Sequence, residues 1–240
     1  LKVGVIDQDD AFGQECRNAV RYFAANDSGV EVVAESGYDV KAEDFTAQVL
    51  KMKKAGAETV WIHGIASKTG PILSLASQLD FDPEWLTVDS GYEPAMAPQL
   101  GDLLKKLHVV TSSVLYTENV PAMAEVKKNV EKVAPGTKPD QLVIAGWIDA
   151  SVAVAALKKA CEKKDLTQKG VVAAMNGLSV ATNGLSPDLK YGTSGPDSRI
   201  PSRKTQVSKI DHKTGISVPV TPFHATELAA KWRLADGAKG

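Results

Sequence analysis

The chain has 240 residues, 43% of them hydrophobic, with 28 basic and 29 acidic side chains and a formal net charge of −1. That length and apolar content can bury one core or two, and the balanced charge excludes the surplus of Lys and Arg on which nucleic-acid or polybasic membrane binding rests. No apolar run approaches the ~20 residues that span a bilayer, and the chain opens on a strand pattern, not on the basic and apolar segments of a secretory signal, which leaves open a cytoplasmic protein and a mature or trimmed form.

The first hundred residues alternate between two periodicities. VGVI (3–6) reads as a short strand. Phe12, Cys16, Ala19, Val20 and Phe23 then line one face of a helix, which Asn26-Asp27-Ser28-Gly29 stops. VEVVA (30–34) is the next strand, and Phe45, Val49 and Met52 mark a second helix closed by Ala55-Gly56-Ala57. TVWIH (59–63) is the third strand. Ile72, Leu75, Ala76 and Leu79 define a third helix, with Pro71 placed in its first turn. WLTV (85–88) and HVVTS (108–112), separated by a short helix near 95–106, complete five strands.

Short strands that are apolar on both faces, alternating with helices, predict an α/β fold with a doubly wound parallel sheet. In such sheets ligands bind beyond the carboxyl ends of the strands. The segments to inspect are therefore Asp7–Gly13, His63–Gly70 and Asp89–Glu93.

Past residue 118 the pattern changes to three helices, 122–134, 141–162 and 167–176, with Leu142, Ala145, Val152, Ala155, Ala156 and Ala160 inward on the longest. Residues 182–203 are rich in Gly, Pro and Ser and predict a long irregular connection. TQVSKI (205–210), a DHKTG turn and ISVPV (216–220) predict a hairpin. The tail from Ala225 is either a short amphipathic helix or loose. The helices of 122–176 need an apolar surface to cover, yet the strands before them already have helices of their own. A sheet is missing from this pattern.

Most chemical readings fail on a required group. Asp7, Asp9 and Asp10 follow the first strand as the acidic pocket of a phosphate-accepting receiver domain does. The third strand, however, ends in His63-Gly64 and the fifth in Thr111-Ser112-Ser113, where that chemistry needs an Asp and a Lys. A magnesium site would want carboxylates from several strand ends, and only Asp89 could join. No metal or cofactor is expected. Gly64–Gly70 lacks the glycine that a phosphate loop places before its lysine, since Ser67 precedes Lys68. No nucleophile elbow, HExxH, CxxC or GxGxxG occurs, so no catalytic residue is assigned; His63 alone among four histidines ends a strand at the ligand edge. Cys16 and Cys161 lie on apolar helix faces and read as small buried hydrophobes, with a bond between them left open.

What remains is a binding edge. Phe12, Tyr92, Tyr116 and Trp147 lie near or beyond strand ends, where apolar walls with a few polar groups hold small molecules. Trp61 alternates inward and belongs to the core.

Four segments carry a family resemblance: DQDDAFGQ (7–14), DFTAQVLKMKKAGAETVWIHG (44–64), AGWIDASVAVAALKKA (145–160) and NGLSPDLKYG (183–192). In this order they resemble the type I periplasmic binding proteins of the branched-chain amino-acid (Leu/Ile/Val) class, the solute receptors of ABC importers. The resemblance implies two doubly wound lobes joined by three crossing segments and closing on a ligand by a hinge. Residues 1–118 and 205–222 would be the second lobe, complete; 119–204 the returning helical part of the first; 223–240 a C-terminal tail. Full-length members carry a half-lobe ahead of the VGVID strand, which accounts for the missing sheet and implies an encoded chain extending upstream to a secretory signal.

The family's ligand-touching positions fall on Phe12, on the Ile65, Ala66 and Ser67 loop, and on Ser90 with Asp89 beside it; Tyr92 joins them from the same loop. The implied function is an extracytoplasmic receptor, periplasmic or extracellular, with a lipid anchor left open. It would bind an amino acid, amide, urea or small carboxylic or aromatic acid and deliver it, as a monomer, to an ABC permease. Two alternatives stand beside it: a ligand-sensing domain of a receptor or regulator with the same fold, and a cytoplasmic α/β enzyme.

Overall fold

Residues Lys2–Gln8 form β1, and its five central residues, Val3 to Asp7, are all buried. Burial on both faces requires a partner strand on each side and cover above and below, and β1 has both. The computed structural model describes residues 1–136, 141–199 and 202–233. The expected connection at 200–201 and the expected tail at 234–240 lie outside the described residues.

Helix α1 (Ala11–Asn26) follows at once, because Asp10 caps it: its Oδ1 accepts the Gly13 N–H at 3.1 Å. Gly13, Cys16 and Val20 face the sheet, whereas Ala19, expected inward, is exposed. Strand β2 (Glu31–Tyr38) runs four residues past its expected end at 34, since Ser36, Gly37 and Tyr38 pair with β1 as far as Gln8. Helix α2 (Thr46–Lys54) buries Val49 and Met52 and ends before Gly56, which holds φ +68°. Strand β3 (Thr59–His63) leads to α3 (Ala66–Gln78). That helix starts earlier than expected: the Lys68 and Thr69 N–H groups both donate to the Ile65 carbonyl. Pro71 therefore stands inside the helix, not in its first turn, and the segment expected as a 64–70 loop is mostly helical. Strand β4 (Glu84–Val88), the short α4 (Ala97–Leu100) and β5 (Leu107–Thr111) complete the run.

Three helices then follow, α5 (Met123–Val133), α6 (Gln141–Glu162) and α7 (Gln168–Met175). A two-residue antiparallel pair, β6 (Ser179–Val180) and β7 (Leu189–Lys190), lies partly within the segment expected to be irregular. The expected hairpin is β8 (Gln206–Asp211) with β9 (Ile216–Pro219), and α8 (Glu227–Lys231) comes last. The main sheet has seven strands in the order β2-β1-β3-β4-β5-β8-β9; β1 pairs in parallel with β2 and β3, β3 with β4, β4 with β5, and β8 runs antiparallel to β9.

Contacts divide the chain into two compact units. The first holds Leu1–Thr111, Val207–Pro222 and the chain from Thr226. Its larger core joins Ile6, Met52, Val60, Ile62, Leu107 and Ile210, with a smaller cluster of Val3, Val5, Cys16 and Val20 under α1. Each such side chain contributes about 1.5–3 kcal/mol when fully buried.

The second unit comprises Ser112–Gln206 and Phe223–Ala225, around Val114, Met123, Val126, Ile144, Ile148 and Leu185. On α6 the inward residues are Ile144, Ile148, Ala156 and Ala160, while Leu142 is exposed. The helix is apolar around most of its circumference, so its periodicity does not single out a face. Contrary to expectation, α6 is also long and apolar enough to cross a bilayer by length and composition alone; 22% of its most apolar stretch is buried. Cys161 is exposed, one residue (about 100° of turn) beyond the inward Ala160. Cys16 is buried, and both thiols are free.

Besides the place of β8 next to β5, the hairpin is held by a long-range side-chain bond at its turn: Tyr92, 5% exposed, donates its hydroxyl to the Gly215 carbonyl at 2.8 Å. Replacing Tyr92 by Phe strands that carbonyl and is expected to cost about 1–3 kcal/mol in urea unfolding followed by circular dichroism. A Gly146→Ala change in α6, where an added Cβ meets nothing within 4 Å, is expected to gain up to about 1 kcal/mol.

Candidate functional site

Parallel pairing brings the carboxyl ends of β1, β3 and β4 to one edge of the first unit's sheet. Asp7 at the end of β1 is in register with Gly37 on β2 and with His63 on β3. Its side chain is fully buried, and the Arg17 Nε lies 2.8 Å from its Oδ2. Arg17 also reaches Asp9, with Nη2 3.3 Å from Oδ1. Burial pushes the Asp7 carboxyl up to about 6; Arg17 opposes the shift, and Asp9 and Glu35 add to it. Glu35 is itself bound by Arg21, whose Nε and Nη2 donate to its two oxygens at 2.8 and 2.6 Å.

Gly13 is required where the chain turns from β1 into α1. A Cβ there would lie 1.8 Å from the Gln8 carbonyl oxygen and 2.6 Å from Asp7 Oδ2. With Gly13 pressed down, Phe12 lies against His63, ring centroids 4.2 Å apart and planes 39° to each other. Burial draws the His63 imidazole down to about 4, so it is neutral at physiological pH, and its buried Nδ1 has no hydrogen-bond partner. Asp10 caps the helix and also accepts from the Gln8 side-chain amide; these bonds hold its carboxyl below the usual range.

The turn after β3 shows the same close approach. A Cβ on Gly64 would fall 1.9 Å from the Tyr38 hydroxyl, which has no partner and which burial pushes up to about 12. Ile65 occupies the cap position of α3 and is 42% exposed; Ala66 and Ser67 form the first helical turn, half-buried and exposed respectively. Lys68 is spent on the Ala42 carbonyl at 2.8 Å, which gives a structural use to the lysine of the rejected phosphate loop. Ser90, after β4, donates its hydroxyl to the Gly64 carbonyl at 3.2 Å and joins the two turns. Asp89 is half-buried; burial raises its carboxyl, although its Oδ1 accepts the Ser90 N–H at 3.1 Å.

Of the residues singled out from the sequence, the structure brings Phe12, Ile65, Ala66, Ser67, Asp89 and Ser90 to this edge. Tyr92 points elsewhere: it is buried and its hydroxyl is committed to Gly215. Tyr116 and Trp147 belong to the second unit, where Lys127 Nζ lies 5.3 Å from the Tyr116 ring centroid. Trp61 is half-buried against the α1 cluster. Sequence reasoning passed over Arg17 and Tyr38. Arg17 stands one turn after Gly13 on the same helix face, and that spacing was the available signal. Tyr38 lay beyond the expected end of its strand. Among the described residues no cluster of three or more His, Cys, Asp or Glu could hold a metal ion.

The two titrating neighbours oppose each other. His63 has a folded value near 4 against an ordinary 6.5, so the stability it contributes is complete above 6.5 and lost as pH falls toward 4. Asp7 has a folded value near 6 against 3.8, so its contribution is complete below 3.8 and lost as pH rises through 6. Urea unfolding at pH 4.5 and 7 is therefore expected to show Asp7→Asn losing more stability on acidification than the parent, and His63→Gln losing less. A second check uses the glycine contact. Gly64→Ala is expected to cost about 1–3 kcal/mol, and Tyr38→Phe to restore most of it in the double variant, since the ring carbon beneath lies 3.3 Å from the new Cβ.

Comparison with known proteins bears on what this edge is for. The family described as periplasmic binding protein matches residues 1–215. An amino acid binding protein of Pseudomonas aeruginosa is 29% identical over 100 residues, 42% of this chain and 26% of that protein. Among solved structures, the fatty acid ABC transporter substrate-binding protein from Thermomonospora curvata superposes with a TM-score of 0.85 at 23% identity, covering 98% of this chain and 60% of that one. A branched chain amino acid ABC transporter from Thermus thermophilus with bound valine gives 0.78 at 22% identity, covering 96% and 62%. At these identities the likeness is one of fold, and the chain spans about 60% of the length of these structures.

Proposed function

Because the chain belongs to the periplasmic binding protein family, we propose that it serves as the extracytoplasmic solute receptor of an ABC importer, with the edge around Phe12 as one wall of its ligand site. The first unit is then the complete second lobe, and the second unit a part of the first lobe. The observation that carries this reading is the convergence of three turns on one sheet edge. Phe12 leans on a neutral His63, Ile65 stands exposed beside Ala66 and Ser67, and Ser90 bonds the second turn to the third. Apolar walls with a few fixed polar groups suit recognition of a small molecule. They hold a solute without any need for chemistry on it, and hydrogen bonds made there gain strength once water is excluded.

The ligand is a small organic solute of the class named from the sequence: an amino acid, amide, urea or carboxylic acid. The names of the relatives cite amino acids, valine and fatty acids, which supports the amino-acid and carboxylic-acid part of that range. The partner that takes the ligand on is an ABC permease, which places the protein outside the cytoplasm.

A thermal-shift screen across amino acids, amides, and aliphatic and aromatic acids identifies the ligand, since ~100 times the dissociation constant adds ~2.7 kcal/mol. Against that ligand, Phe12→Ala is expected to weaken binding about tenfold or more with the fold kept by circular dichroism. Equal affinity would remove Phe12 from the site. Asp89→Asn is expected to weaken binding only of a cationic ligand.

A further inference from the structure

Among the described residues, Arg17 is the one cation that touches both carboxylates flanking Gln8, the residue over which the chain leaves the sheet. Its inner contact is Asp7, fully buried, and its outer contact is Asp9, whose side chain is 69% exposed. Past these contacts the chain enters the first turn of α1, which carries Phe12. We infer that Arg17 is a positioning residue: by clamping Asp7 and Asp9 together it holds the Asp9–Gly13 turn down and keeps the Phe12 ring seated on His63. The inference rests on the proposal that the Phe12 edge is a ligand wall, but its test needs no ligand.

The turn has few other anchors. The Asp9 N–H donates to the Tyr38 carbonyl at 2.8 Å, the Asp10 N–H to the Gln8 carbonyl at 2.9 Å, and the Gly13 N–H to Asp10. The last two lie within the turn and do not fix its height above the sheet. The charged and titratable groups around Asp7 are Arg17, Arg21 and Cys16 on α1, Asp9 in the turn, Glu35 and Tyr38 on β2, and His63 on β3. Arg21 is occupied by Glu35, so it is no ready substitute for Arg17. A guanidinium can serve two carboxylates at once through separate nitrogens, which an ammonium on a flexible stem does less well.

His63 reports the seating of Phe12, because burial is what depresses its titration, against an opposing pull from the Asp10 carboxylate beside it. The experiment follows the Asp7 carboxyl carbon and the His63 ring by NMR titration, with amide exchange at Asp9 and Gly13, in the parent chain and in Arg17→Gln, Arg17→Lys and Asp9→Asn. In Arg17→Gln the Asp7 midpoint is expected to rise by about one unit or more. The His63 midpoint is expected to move from about 4 toward 6.5, and the two amides to exchange about tenfold faster. Arg17→Lys keeps the Asp7 midpoint near the parent value yet still raises that of His63. Asp9→Asn separates the clamp from general loosening: removal of a neighbouring negative charge lowers the Asp7 midpoint, while release of the turn raises that of His63. An unchanged His63 midpoint in Arg17→Gln would overturn the inference. Should that variant fail to fold, an unchanged His63 midpoint in Asp9→Asn overturns it equally.

Discussion

The parallel pairing of β1 with β2 on one side and β3 on the other is the constraint on which the first unit depends. Parallel neighbours cannot be joined by a tight turn, so each connection carries a helix across the sheet. Every strand of the run then ends at the same edge. The register β1 keeps with both neighbours places Gly37, Asp7 and His63 side by side there. A one-residue slip would move each side chain to the opposite face and dismantle that row. The edge proposed to hold a ligand is thus a by-product of the way the core is built.

Height above the sheet is set by a different force. The turns after β1 and β3 descend until backbone meets side chain, and only a hydrogen at the alpha carbon fits in the remaining gap at Gly13 and Gly64. Under Gly64 lies a hydroxyl with no conventional partner; under Gly13 lies a carboxylate that shares an arginine. Burying such groups is expensive. The altered titration of Asp7 and the opposite change at His63 reflect that cost, and their opposed pH windows leave the edge less sensitive to acid than either group alone.

Much of this was legible in the chain. Two-sided apolar strands such as VGVI and TVWIH announced a covered parallel sheet, and the QVSKI–ISVP hairpin was plain from its turn. The misjudged places share a cause: local preference was overruled by distant contacts. Ser36-Gly37-Tyr38 has no strand signature of its own, yet pairing with β1 extends β2 through it. Proline belongs by preference in a first helical turn, yet α3 starts ahead of Pro71. Phe12 could be placed through the family resemblance of DQDDAFGQ. Tyr92 could not, because the atom that claims its hydroxyl lies 123 residues away. Arg17 looked like an ordinary charge on an amphipathic helix, and only the buried partner beside it says otherwise.

The hairpin of β8 and β9 also bears on how the chain assembles. Ser208, on β8, donates to the carbonyl of Val109, on β5, across a separation of 99 residues. In sequence, the strand that covers β5 comes only after the helical unit. Loop closure of that size is slow relative to local pairing, and unpaired margins invite other chains. The outer margin of β5 is therefore covered in the finished sheet by a strand that the chain supplies only after the whole helical unit.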